Sequence, residues 1–307
     1  MKEEHLRVLG ELNTSKTRQE LASKLDYSPK TITNALGELS KEGLITRDSS
    51  GRETVVEPVA ARCVEVYQSL SSSHPHIDFP DLLTGSMLKL LYHVSSDDWK
   101  SAATIIDESG HPKSTVYRHL KTLRNRAIVL KERRSYRLAD EFELLHVFAT
   151  ELQHHRHRHR VRREIGEGNI LWEADDEFLV QTVEPIPKEG YHQTGLDAFA
   201  EYGLDFLTTA EHYYFYSPTR SSLTPADLVC HLLVIENDAR HRKYAMLLLA
   251  AVGQSRETVE DRASYYGVDD VVTAMKAYLE SRGEQRTDEL PPWEQFESLA
   301  AEYGVTL

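Results

Sequence analysis

Residues 28–44 read SPKTITNALGELSKEGL, and this stretch organises the chain around it. Ser28 is placed to cap a helix, and Pro29 falls at the first helical position, where a missing N–H costs nothing. Ile32, Leu36 and Leu39 recur at helical spacing and make one apolar stripe. Lys30, Thr31, Thr33 and Asn34 are left on the other faces. Gly43 stops the helix, and Leu44-Ile45 enters a strand.

Working outward, residues 3–12 carry Leu6, Leu9 and Leu12 on one side and predict a first helix. Thr17 and Glu20 have the spacing of a capping box for a second helix over 18–25, which buries Leu21, Ala22 and Leu25. Asp26-Tyr27 is the tight turn before the 28–44 helix. Residues 44–46 and 54–59 predict two strands joined by the polar turn 48–52, with Arg52 near its tip.

The run from Thr17 to Ile45, T-x-x-E-L-A-x-x-L…S-x-x-T-I-T-x-x-L-x-x-L-x-x-x-G-L-I, resembles winged helix-turn-helix regulators of the MarR and ArsR type. That resemblance implies DNA binding: Lys30, Thr31, Thr33 and Asn34 would face the major groove, and Arg52 in the wing would touch backbone or minor groove. The plainer reading is that these side chains are the solvated face of a small helical bundle, since winged helices also serve as protein docking modules.

A second copy follows. Residues 61–73 predict a connecting helix, 71–80 a Ser- and Pro-rich linker, 81–92 a helix and 100–108 a short helix. A shift of 84 residues superposes the apolar registers: Ile32 meets Val116, Leu36 meets Leu120, Leu39 meets Leu123 and Leu44 meets Ile128. The second recognition helix, over 112–124, is far more basic. Tyr117 and Arg118 replace Thr33 and Asn34, and Lys113, His119, Lys121 and Arg124 join them. Lys131, Arg133, Arg134 and Arg137 surround the hairpin 128–138, which reads as a phosphate-contacting second wing. Against this, Tyr117 is large enough to pack on a neighbouring domain, and one module could bind DNA while the other holds the protein together.

Residues 140–163 predict a long helix that ends in the tract HHRHRHRVRR. His155 and His159 have metal-ligand spacing, but no acidic or Cys ligand lies close in sequence, so an exposed basic helix facing phosphates or an acidic domain is expected. Its charge should depend on pH.

The remainder is an α+β domain. Strands over 170–174 and 178–183 flank the acidic turn 175–177, a short helix covers 194–203, and a strand covers 213–216. Alternation would bury two of Tyr213, Tyr214, Phe215 and Tyr216 and expose two. Thr224, Pro225 and Asp227 mark a capped helix that buries Cys230, and helices over 241–252, 259–266, 268–281 and 293–303 complete the array. Ser217-Pro218-Thr219-Arg220 before that capped helix is loosely similar to antitoxin regulators that repress their own operon. No Gly-rich phosphate loop, paired-Cys motif, His-Glu-x-x-His or G-x-S-x-G is present, so neither a catalytic set, a metal nor a cofactor is expected.

Charge divides the chain. Residues 1–165 hold 26 Lys+Arg and 23 Asp+Glu, and residues 166–307 hold 10 and 26. The first part suits nucleic acid, while the second suits solvent or a basic partner. Acids are abundant and Arg outnumbers Lys 23 to 13, a composition that resembles proteins of salt-loving archaea. Two cysteines exclude a disulfide framework, no run reaches the ~18 apolar residues of a membrane span, and the start is not a signal peptide, so a cytoplasmic protein is expected.

The expected architecture is mainly α with small β wings: winged-helix domains over 1–73 and 74–140, a basic connecting helix over 141–165 and an acidic α+β domain over 166–307. The expected function is a sequence-specific regulator on double-stranded DNA, acting as a homodimer by promoter occupancy, with an effector or partner held by the last domain. The alternatives are a winged-helix docking scaffold and an antitoxin-like autoregulator.

Overall fold

Two side-chain caps set the first helices. α1 (Glu3–Glu11) leads to β1 (Lys16–Thr17), whose last residue opens α2 (Arg18–Leu25). Thr17 Oγ1 accepts from Glu20 N at 3.2 Å while the Glu20 carboxylate accepts from Thr17 N at 2.7 Å, so two helix-end donors are satisfied reciprocally. Asp26 turns the chain in the left-handed region (φ 52°), and Ser28 Oγ accepts from Thr31 N at 3.1 Å to cap α3 (Pro29–Lys41). β2 (Ile45–Asp48) and β3 (Val55–Pro58) form a hairpin, and β1 joins it in the antiparallel order β1-β3-β2.

The computed structural model describes residues 1–49, 54–207, 210–253 and 256–307. They divide into two compact units, Met1–Arg160 and Val161–Leu307. More than half of the chain is helical and the sheets are small and antiparallel. Among the described residues, no helix is long and apolar enough to cross a membrane.

In the first unit, α4 (Arg62–Ser73), α5 (Phe79–Leu82) and α6 (Ser86–Tyr92) lead into the repeat. The repeat consists of β4 (Lys100–Ser101), α7 (Ala102–Ser109), α8 (Lys113–Asn125), β5 (Val129–Glu132) and β6 (Ser135–Leu138). α8 begins and ends 84 residues after α3, and the sheet order β4-β6-β5 repeats that of the first sheet. A short 3₁₀ turn leads to α9 (Glu143–Glu164). One apolar core runs from Leu6 through Ile32, Tyr67, Val116 and Leu123 to Leu152 and joins both repeats. Each such buried side chain contributes about 1.5–3 kcal/mol. α9 braces this unit: Phe148 lies against Tyr67 at 5.1 Å between ring centres, and the His146 ring bonds the Leu91 carbonyl at 3.0 Å.

Three expectations change here. Residues 71–80 are not a free linker, because α4 continues to Ser73 and Phe79 is buried to anchor α5. The helix expected over 81–92 is broken at Gly85, whose φ of 54° no regular helix adopts. Lys100 and Ser101 are strand rather than helix, since they pair with Tyr136 and Ser135.

In the second unit, β7 (Asn169–Ala174), β8 (Glu177–Thr182), β9 (Tyr191–Thr194) and β10 (His212–Tyr216) form a sheet in the order β7-β8-β10-β9. The short helix expected over 194–203 starts later, as a 3₁₀ helix at Leu196–Tyr202, because Thr194 belongs to β9. α10 (Pro225–Ile235), α11 (Ala239–Val252), α12 (Arg256–Tyr266), α13 (Asp269–Glu280) and α14 (Trp293–Glu302) follow. Phe215 enters the core made with these helices, whereas Tyr214 and Tyr216 enter a second core with Phe178, Tyr191 and Val161. Both faces of β10 are therefore covered, and the expected exposed pair of aromatics is absent among the described residues. Cys230 is buried in the helical core.

Candidate nucleic-acid interface

α3 turns Ile32, Ala35, Leu36 and Leu39 inward, which leaves Lys30, Thr33 and Asn34 exposed on its outer face. Thr31 is half-buried, and its hydroxyl is shared with Ser28 at 2.8 Å. Thr33 Oγ1 donates to the Pro29 carbonyl at 2.8 Å and accepts from Arg18 at 3.4 Å. The hydroxyls of both threonines are thus occupied within the module. The Lys30 ammonium and the Asn34 carboxamide have no hydrogen-bonding partner among the described residues. Arg52 lies outside the described residues.

Beside α3 opens a groove of about 410 Å³. Its walls are Thr17 and Arg18 at the start of α2, Thr33 and Leu36 of α3, and Arg47 and Val56 of the hairpin. Sequence reading missed Arg18 and Arg47. Neither lies on α3, and only the assembly of three elements brings them to one groove. Arg47 is exposed and makes no ion pair among the described residues.

The second module presents a different surface. Lys113, Tyr117, Arg118, Lys121 and Arg124 are all exposed on α8. The four cations among them have no carboxylate partner among the described residues. Arg133 and Arg134 form the two-residue turn of the β5–β6 hairpin, with Arg133 in the left-handed region at φ 51°, and both are exposed. Lys131 stands over the Tyr136 ring at 5.3 Å. Tyr117, Leu130 and Trp99 add exposed apolar surface. His119 lies apart from this face, because its ring bonds the Ser86 hydroxyl at 2.7 Å. Surface cations without internal acids are free to meet an external polyanion without first breaking a pair.

The basic tract of α9 departs from expectation. His155 donates to the Glu42 and Gly43 carbonyls, both at 3.1 Å, and His159 bonds the Lys41 carbonyl at 3.0 Å. Arg156 pairs with Glu42 at 2.8 Å. The three carbonyls lie at the carboxy-terminal end of α3, where cations and N–H donors are favoured. Burial holds the His155 imidazole below its ordinary pKa, so it serves as a neutral donor. The two rings stack 6.2 Å apart and spend their Nε2 atoms on carbonyls. His155, Arg156 and His159 of the tract thus hold the end of α3 instead of standing free in solvent.

The acidic turn of the second unit is also more than a solvated tip. Arg220 forks onto Glu177 at 2.8 and 3.2 Å and reaches Asp227 at 2.8 Å. Tyr265 donates to Glu177 at 2.9 Å, and Arg262 adds a 3.2 Å pair to Asp227. Hydrogen bonds from Thr224 and the neighbouring arginines hold the Asp227 carboxyl below its ordinary range despite burial. The Ser217–Arg220 turn is therefore tied into the domain itself. Among the described residues, Glu236, Asp238 and His241 bring ligand-type atoms within 4.8 Å of one another. Asp238 is already the cap of α11, accepting from His241 N at 2.7 Å and from its ring at 2.6 Å.

A domain-family model described as HVO_2833_C, C-terminal, a haloarchaeal protein family, matches residues 188–305. The matched region covers most of the second unit and leaves the two helix–hairpin modules outside. No curated protein matches the chain.

Proposed function

We propose that this chain is a sequence-specific DNA-binding transcriptional regulator of the MarR/ArsR type, in which two winged-helix modules occupy a promoter site in the cytoplasm. One observation carries the reading: Lys113, Arg118, Lys121 and Arg124 on α8 and Arg133 and Arg134 at the hairpin tip are all exposed and make no ion pair among the described residues. Such cations match a phosphate backbone, and a helix with exposed polar residues along its amino-terminal half matches a major groove. The second unit would dimerise the chain or hold an effector or partner. A groove of about 280 Å³ there, walled by Leu249, Val259, Leu279 and Trp293, is a candidate place for an effector. The protein performs no chemistry in this reading.

The test is replacement of Arg118 or Lys121 by Ala in the full chain, followed by DNA titration at several salt concentrations. Either loss should weaken binding; a lost phosphate contact at Lys121 lowers the slope of log affinity against log salt by about 1, and loss of Arg118, if it reads a base, also relaxes sequence preference. Unchanged affinity in both variants removes α8 from the interface. The second reading, a docking scaffold, draws on the exposed Tyr117, Leu130 and Trp99. It predicts no salt-dependent DNA affinity.

A further inference from the structure

α3 and α8 have the same length and occupy the same place in their modules, so their outer faces can be compared position by position. Lys30, Thr33, Asn34 and Gly37 correspond to Ser114, Tyr117, Arg118 and Lys121. The chemistry differs at each. On α3, the Thr33 hydroxyl is spent on Pro29 and Arg18, which leaves the neighbouring Asn34 carboxamide as the open polar group of that turn. One turn on, Gly37 carries no side chain, and a Cβ built there meets nothing within 4 Å, so a base edge can come close to Asn34. On α8, Arg118 holds the corresponding position, exposed and without an ion pair among the described residues.

Donor and acceptor geometry then separates the two. A carboxamide offers one donor and one acceptor side by side, which matches N6 and N7 of adenine. A guanidinium offers two parallel donors, which match O6 and N7 of guanine.

Resting on the DNA-binding reading above, we propose that one chain takes two different base readings: Asn34 reads an adenine and Arg118 reads a guanine, each in the major groove. The site covered by one chain is therefore asymmetric. A homodimer would repeat this unlike pair without making its two halves alike.

The experiment is selection of duplexes from a pool with a randomised core, using the full chain as wild type, N34A, R118A and N34R. For each bound chain the wild type should enrich one fixed A·T position and one fixed G·C position. N34A should cut the enrichment at the A·T position about ten-fold and leave the G·C position intact, and R118A should do the reverse. N34R should convert the adenine preference to guanine. Both residues are exposed, so the melting temperatures should match the wild type. The proposal is overturned if N34A and R118A weaken binding without changing any base preference, or if each alters the other's position. A wild type that binds no duplex overturns the DNA-binding reading itself, an outcome distinct from either of these.

Discussion

His159 occupies the space beside Gly43 that a side chain there would need. Its ring bonds the Lys41 carbonyl at 3.0 Å, and a Cβ built on Gly43 would fall within 2.8 Å of His159 Cγ. Gly43 also has φ 68°, where L-residues are strained. Gly43→Ala should therefore destabilise the first unit by about 2 kcal/mol, from left-handed strain and displacement of the ring. His159→Ala should cost about 1 kcal/mol through the lost helix-end donor. The double variant should cost less than the sum, because without the ring the clash is gone. Thermal melting of the four proteins measures the coupling, and strict additivity would separate the two residues.

Gly37 provides a contrasting case. It lies inside α3 with open space where a Cβ would go. Gly37→Ala should stabilise the helix by about 0.5–1 kcal/mol, since Ala loses less backbone freedom on folding. Urea denaturation followed by circular dichroism checks the sign.

His231 predicts a pH dependence of stability. It is fully buried between Thr194 and Tyr266, bonded at 2.9 and 2.8 Å, and burial pushes its imidazole down from 6.5 to about 3. Between those values the unfolded chain binds the proton and the folded chain does not. This contribution is therefore fully present above pH 6.5 and declines as the pH falls towards 3. The slope is about 1.4 kcal/mol per pH unit. Denaturation of the full chain at a series of pH values, followed by circular dichroism, should show this decline, and His231→Gln should flatten it.

Arg220 joins three elements of the second unit through Glu177 and Asp227, and Asp227 is buried. Arg220→Met should cost about 1.5–3 kcal/mol, because it removes charged hydrogen bonds but leaves Asp227 with Arg262 and Thr224 and Glu177 with Tyr265. The loss should appear in the melting of the second unit and should leave DNA affinity unaltered once the protein is folded.

Much of the fold was legible because one apolar stripe dictates each of α3 and α8 and because caps such as Thr17–Glu20 in the first unit and Thr224–Asp227 in the second are local in sequence. The exposed faces of α3 and α8 followed from the same stripes. What could not be read depends on distant partners. β9, with the sequence YHQT, has no alternation of its own and is a strand because β10 pairs with it. Tyr214 and Tyr216 are buried because Phe178, Tyr191 and Val161 cover that face. The role of His155 and His159 needs carbonyls more than a hundred residues away. Arg18 and Arg47 meet only when α2, α3 and the hairpin assemble.

The central claim is DNA binding through the cationic faces of the first unit. Its most direct test is a titration of the full wild-type chain against DNA from its own upstream region and a scrambled duplex, across a range of salt concentrations. The account predicts tighter binding to the upstream duplex, with log affinity falling linearly as log salt rises. A folded protein that binds neither duplex at low salt would contradict it and turn attention to partner docking at Tyr117, Leu130 and Trp99.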